Sequence, residues 1–296
     1  MTRLQAYFTP EVKKDMFVTS NMEVDPLIEM HLDIVFPNCP CGILDFKFQT
    51  GYTTWQRTDM PQFKFFNIDR LTNEVIDEAP LTMDLASTDK YKKIKEQLDK
   101  GMGCLVQGSH DMYQVPSKLF FATDRDTWLI TKLQKDAPDT YNKFSLDHYF
   151  QQFAFGDLTQ AEGIQEHFAE YPEHTRLDMV KDQVEANRAA IMNQEGDFVH
   201  YNFYKFISVV PHMFLDTSTE EEVDFRSYSY ALTLNKKKPD KEQGVNMVMM
   251  IFEFSPVSMS ITKSNQPLSR FIISICAIVG GVFVVFGLIN SSLLEC

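Results

Sequence analysis

The chain has 296 residues, 44% of them hydrophobic and 13% aromatic, so it can bury a sizeable core and is not a disordered tether. Its 41 acidic residues against 28 basic ones give a formal net charge of −13, which argues against binding a nucleic-acid backbone or resting flat on anionic lipid. The first 25 residues are polar and lack an apolar h-region, so no signal peptide is expected.

In chain order, apolar and polar residues first alternate in Met30 to Phe36 (MHLDIVF) and Leu44 to Phe48 (LDFKF), short runs bounded by Pro and Gly that predict strands. Asp89 to Lys100 puts Tyr91, Ile94 and Leu98 at helical spacing, with Gly101 as the stop. Thr175 to Asn193 carries Leu177, Val180, Val184 and Ile191 on one stripe and predicts a second surface helix. Strands are expected again in Tyr201 to Val210, Phe225 to Leu234 and Val245 to Phe254. The last two flank LNKKKPDKEQG, a connection suited to a hairpin. Antiparallel pairing of these strands in a β-sandwich with a few surface helices buries their aromatic faces, so the fold class is mainly β.

The run Phe271 to Ile289 is free of charge, and its 19 residues at helical rise cover about 28 Å, close to the hydrocarbon core of a bilayer. It predicts a membrane anchor. Within it Ala277 and Gly281, with Gly280 alongside, form a small-x-x-x-small pair that lets another helix approach closely.

Catalytic signatures are missing: there is no G-x-S-x-G, P-loop, H-E-x-x-H or dinucleotide-binding glycine pattern. His110, His148, His167, His174, His200 and His212 are scattered and read as surface or hydrogen-bonded core residues. The acidic run Glu220, Glu221, Glu222 and Asp224 lacks the glycine turn of a calcium loop and reads as a solvated hairpin end. Lys236, Lys237 and Lys238 read as a solvated loop tip. Cys276 lies in the anchor and Cys296 ends the chain, leaving Cys39, Cys41 and Cys104 in the folded part. They supply either one disulfide and a spare thiol or three reduced thiols, and the count does not choose.

Four landmarks carry a resemblance. Phe36, Pro37, Asn38, Pro40 and Cys41 are similar to the FPN-L-PC segment of the ER-vesicle (Erv)/ERGIC family, whose members cycle between ER and Golgi. Gly103, Cys104 and Gly108 resemble its GC-x-x-x-G segment, and His148, Phe155 and Gly156 its H-x-x-x-x-x-FG stretch. Glu253, Ser255 and Pro256, followed by Cys276 to Phe283, resemble its E-x-SP strand and CAIVGGVF anchor.

The resemblance implies a luminal β-rich domain between two membrane helices with both ends cytosolic. It further implies a cargo receptor in COPII and COPI vesicles at ER, intermediate-compartment and Golgi membranes, with no catalytic residue and no cofactor. It also implies a Cys41–Cys104 disulfide and a free Cys39, which stands where family members often carry Leu. The branch with an additional cysteine cluster is not matched, so the chain sits nearer the cluster-free members, partners of a paralogous subunit in a hetero-oligomer. The family's first membrane helix, expected before Tyr7, is absent from this sequence, which therefore reads as an incomplete copy or a divergent member.

The expected organisation is an N-terminal segment over 1–21, a luminal domain over 22–268, a membrane helix over 270–290 and a short cytosolic tail over 291–296. Lys263 and Arg270 before the anchor, with no Lys or Arg after it, would by themselves put the domain in the cytosol. The resemblance orients it to the lumen and is followed here. The expected function is non-enzymatic cargo reception, with luminal cargo proteins, a paralogue, the vesicle coats and the bilayer as partners and nucleic acid excluded. A fixed structural subunit and a tail-anchored cytosolic protein are the alternatives. Tyr201, Phe203 and Tyr204 are candidate partner anchors, His148 a candidate pH-sensitive group, and Leu293 with Leu294 a candidate tail sorting signal.

Overall fold

The computed structural model describes residues 10–18, 27–80, 87–123, 127–168, 200–218, 222–238, 246–265 and 267–294. The helix expected over 175–193, with His174, Glu220 and Glu221, lies outside the described residues. The strands are β1 (Glu11–Val18), β2 (Leu27–Phe36), β3 (Asp45–Thr50), β4 (Thr53–Gln56), β5 (Lys64–Asp69), β6 (Val75–Glu78), β7 (Met102–Tyr113) and β8 (Ser117–Ala122). They continue with β9 (Tyr149–Phe155), β10 (Asn202–Asp216), β11 (Val223–Lys237), β12 (Met247–Phe254) and β13 (Val257–Ser264). Helices are α1 (Ser87–Asp99), α2 (Thr127–Asp136), α3 (Pro138–Tyr141), α4 (Leu158–His167) and α5 (Leu268–Leu294).

Two compact units share the chain. The larger comprises residues 18–212 and 226–258. Within it one sheet runs β6-β5-β7-β2-β9 and the other β10-β12-β8-β3-β4, with β11 paired to the free side of β10. Alternation sets which side chains enter the space between them: Met30, Leu32, Ile34 and Phe36 from β2 meet Phe46, Phe48, Leu119, Phe121, Val248, Met250 and Phe252. Phe36 and Phe121 meet tilted at 56° with ring centroids 5.1 Å apart, and Phe46 and Phe65 meet edge-on at 6.2 Å. Such ring pairs add to the burial itself, which stabilises by roughly 2 kcal/mol per large side chain. The molecule is thus mainly β, a sandwich with surface helices whose apolar stripes, Ile94 and Leu98 on α1 and Leu129, Ile130 and Leu133 on α2, are buried.

One pairing differs from expectation. β11 and β12 do not form a hairpin: β10 lies between them and runs parallel to β12, Phe203 opposite Val248 through Val209 opposite Phe254. β11 and β12 are therefore not neighbours in the sheet. Two glycines explain close approaches in β7. A Cβ on Gly103 would lie 2.6 Å from the Phe36 carbonyl oxygen, and one on Gly108 would strike the Gln62 carbonyl and the Phe63 ring.

The smaller unit comprises residues 1–17, 213–225 and 259–296. Its described strands bury Phe214 and Ile261, and Asp216, 1% exposed, lies 3.6 Å from the Lys263 ammonium. Its helix α5 is long and apolar enough to cross a membrane over Leu268–Asn290, which has 23 residues or about 35 Å of rise. Helical backbone continues to Leu294, so 291–294 extends the helix beyond the expected boundary at 290.

Candidate interaction sites in the disulfide-bonded body

β2 ends in the turn that carries Pro37 to Cys41, and β7 runs beside it with Phe36 opposite Cys104. This register brings Cys41 to Cys104, and the structure joins them by a disulfide with Cα atoms 4.9 Å apart across a sequence separation of 63 residues. Cys39 is fully buried and free, and burial pushes its thiol well above the ordinary range, so it stays protonated and unreactive.

Arg57 closes this turn from below. Its guanidinium donates to the carbonyls of Cys41 (3.0 Å), Leu44 (3.3 Å) and Pro80 (3.1 Å) and lies 3.5 Å above the Phe65 ring. The residue is 6% exposed, a buried cation that ties the turn before β3 to Pro80. No sequence motif announced it.

A second buried cation sits on β10. Phe203, Lys205, Ile207 and Val209 alternate inward, so Lys205 occupies a core position and is also 6% exposed. Its ammonium lies 3.9 Å from the Phe150 ring centre. Burial, with Lys236 nearby, pushes its pKa down to about 7. The inward alternation of YNFYKFISVV was the available signal, since the strand's period puts residue 205 on the face of Phe203.

His148 belongs to the same corner. Its ring packs against Phe36 at 5.4 Å and Phe203 at 5.1 Å, Nδ1 donates to the Leu146 carbonyl at 2.9 Å, and Nε2 is buried without a partner. Burial first, and then the charge of Lys205, holds its pKa well below the usual histidine value. These surroundings favour the neutral imidazole, and Lys205 in the same corner has its own pKa lowered to about 7.

Of the remaining histidines, His110 pairs with Gln62 at 2.9 Å, His200 with Asn246 at 3.2 Å and His212 with Ser229 at 2.6 Å. His31 was overlooked in the sequence. From β2 its Nε2 donates to the Gly156 carbonyl at 3.0 Å, tying β2 to the end of β9. Among the described residues no group of three His, Cys, Asp or Glu side chains could hold a metal. Of the three candidate aromatic anchors, Phe203 belongs to the core, whereas Tyr201 and Tyr204 are half-buried and neighbouring Phe206 is exposed. Lys236 lies with its ammonium 5.2 Å from the Phe203 ring. On α5, Ala277, Gly280 and Gly281 are exposed, and a Cβ at either glycine would meet nothing within 4 Å. Leu293 and Leu294 close the described helix.

A helix able to cross a bilayer and a disulfide-bonded two-sheet body define the class: a membrane-anchored β protein. The family model described as "Endoplasmic reticulum vesicle transporter" matches residues 85–290, from the sequence around α1 through the β body into α5, and the chain belongs to that family. It is a family of ER–Golgi vesicle transport, not of enzymes, and the chain is a protein of ER, intermediate-compartment and Golgi membranes. The chain is similar to endoplasmic reticulum-Golgi intermediate compartment protein 1 of Xenopus laevis, 20% identical over 294 residues, or 98% of this chain and 80% of that protein. It is 24% identical over 200 residues to the protein of the same name from Danio rerio, 67% of this chain and 58% of that relative's length. Among solved structures, the crystal structure of Erv41p aligns with 84% of this chain and 99% of its own, at 15% identity and a TM-score of 0.48.

Proposed function

We propose that the chain is a non-enzymatic cargo receptor or adaptor that cycles between ER and Golgi in COPII- and COPI-coated vesicles. It works in a hetero-oligomer with a paralogous subunit, its β body in the lumen binding cargo. The observation that carries this reading is the family match, which runs through the β body and the membrane helix together. The buried Cys41–Cys104 bridge supports the luminal orientation, because disulfides persist in the oxidising secretory pathway and rarely in cytosol. Binding needs area more than chemistry, roughly 800 Å² per partner, and the outward side of β10 with Tyr204 and Phe206 offers aromatic anchors for it.

The test places an Asn-x-Thr acceptor in the 236–244 loop of the full chain and follows mobility before and after endoglycosidase. Asn290 is the only natural N-x-S/T site, so a new shift reports the loop alone. The reading expects an endoglycosidase-sensitive shift, and capture of the tagged chain from in vitro budded vesicles together with a family paralogue. An unglycosylated loop would overturn the luminal orientation, and exclusion from budded vesicles would overturn the cycling.

A further inference from the structure

A strand with one face in a core and the other in water alternates apolar and polar residues, and β12 does not. Its run MVMMIFEF sends Val248, Met250 and Phe252 into the core and turns Met249 and Ile251 the other way. The register carries this outer apolar strip across three strands. Tyr204 on β10 lies beside Met249, which lies beside Phe120 on β8, and one step along Phe206 lies beside Ile251. These side chains belong to neither buried cluster, and Phe206 is 44% exposed. β10 and β12 moreover run parallel, a pairing usual in sheets that are covered on both faces. The second sheet shows what covering looks like in this body: its outward Val35, Ile68, Leu105 and Tyr149 form a buried cluster of their own. The strip on the first sheet stays half-exposed.

Two charges border the strip. Lys118, beside Ile251 in the register, is exposed and has no ion pair among the described residues, and the same holds for Glu253, two residues further along β12. Lys47, on the far side of Phe120, is taken by Asp45 at 3.5 Å. The face is therefore net neutral in a chain of formal charge −13, and two copies can meet there without the repulsion that opposes contact elsewhere. One free charge of each sign also makes the face self-complementary, as a two-fold pairing of identical surfaces demands. At ideal sheet spacing, about 4.8 Å between strands and roughly 6.7 Å between alternate residues, an in-plane two-fold axis that sets Lys118 of one copy against Glu253 of the other runs close to Ile251 and Phe206. Both charge pairs form at once, with the apolar side chains between them.

We propose that the outer face of β10, β12 and β8 pairs with the same face of a second copy of this chain, Phe206 and Ile251 meeting near the two-fold axis and Lys118 meeting Glu253 on either side of it. The proposal rests on the reading of the chain as a binding protein and names the partner of its β10 face. The apolar centre covers only roughly 200–300 Å², short of the roughly 800 Å² per partner of a standard interface. Pairing is therefore weak in solution and is favoured where α5 confines both copies to one membrane.

The experiment uses the full chain in membranes, with Cys276→Ala and Cys296→Ser so that the introduced thiols alone can couple, Cys39 being buried. Under mild oxidation Ile251→Cys and Phe206→Cys should each link two differently tagged copies, about tenfold more than Lys64→Cys, an exposed position on β5. In the Ile251→Cys chain, Lys118→Glu should cut the linked fraction about tenfold, and adding Glu253→Lys should restore it, because the exchange rebuilds both pairs. Both substitutions are at exposed positions, and an unchanged melting temperature verifies that the fold is intact. Linkage no greater than that of Lys64→Cys, linkage to a paralogous subunit in place of the second copy, or no recovery in the double exchange overturns the proposal. Capture in budded vesicles, read on the same preparation, separates the two readings. A chain that enters vesicles but does not pair loses this proposal alone, and one that pairs but never enters loses the transport reading and leaves the face standing.

Discussion

Arg57 and Lys205 are buried to the same 6% exposure in the same β body, each over a phenylalanine ring, yet the protein treats them in opposite ways. Arg57 is met by three carbonyl acceptors, two in the turn before β3 and one at Pro80, so its charge is solvated by the protein and its loss would strand them. Lys205 faces Phe150, the neutral His148 and the cation of Lys236, and its pKa falls to about 7. The difference teaches that burial alone does not say whether a charge holds a fold together. The acceptors around it do.

The largest effect is expected at Arg57. Arg57→Met should cost about 4 kcal/mol in denaturant unfolding, because three carbonyls lose their donor in the interior. Arg57→Lys should recover little, since an ammonium cannot reproduce the fork. A loss below about 1 kcal/mol would make the two cations alike and break the contrast. Lys205→Met should act in the opposite direction and stabilise the protein by roughly 3 kcal/mol at pH 7, the order of magnitude set by its lowered pKa. Destabilisation on that substitution would mean that the ammonium is held by something that compensates its burial.

The same lysine sets a pH dependence. Because its folded pKa is depressed, the unfolded chain holds the extra proton between about pH 7 and 10.5. Stability contributed here is full above the unfolded value, declines as pH falls through that window by up to about 1.4 kcal/mol per unit, and levels below about 7. Unfolding curves at pH 7, 8, 9 and 10 should show this slope as the difference between wild type and Lys205→Met, and parallel curves would contradict it. The smallest effect belongs to the exposed pair Lys100–Glu96, both side chains 65% exposed. Lys100→Met should shift stability by no more than about 0.5 kcal/mol.

Much of this was readable in the chain. Alternation in MHLDIVF and LDFKF found β2 and β3, helical spacing found α1 to within two residues, and the charge-free run found α5. The strand partners were less visible: period two says which face is buried but not which strand lies alongside, and the hairpin expected after β11 failed because β10 takes the intervening place. At Lys205 the inward slot was written in the alternation of Phe203, Ile207 and Val209, but the Phe150 ring and the Lys236 charge beside it come from other strands. Asn38 was visible as a landmark letter. That its carboxamide is buried and unpartnered follows only from the packing around it.

Three thiols lie in the body, and in an unfolded chain they allow three different single bridges. In the folded body two are joined and the third, Cys39, is sealed at 0% exposure, out of reach of any attacking thiolate. The choice among the three is therefore made by geometry: only a β2–β7 ladder with Phe36 opposite Cys104 sets Cys41 beside its partner. Any chain in which Cys39 can still be alkylated announces that the ladder has not closed, and the bridge that survives is a lasting imprint of the correct register.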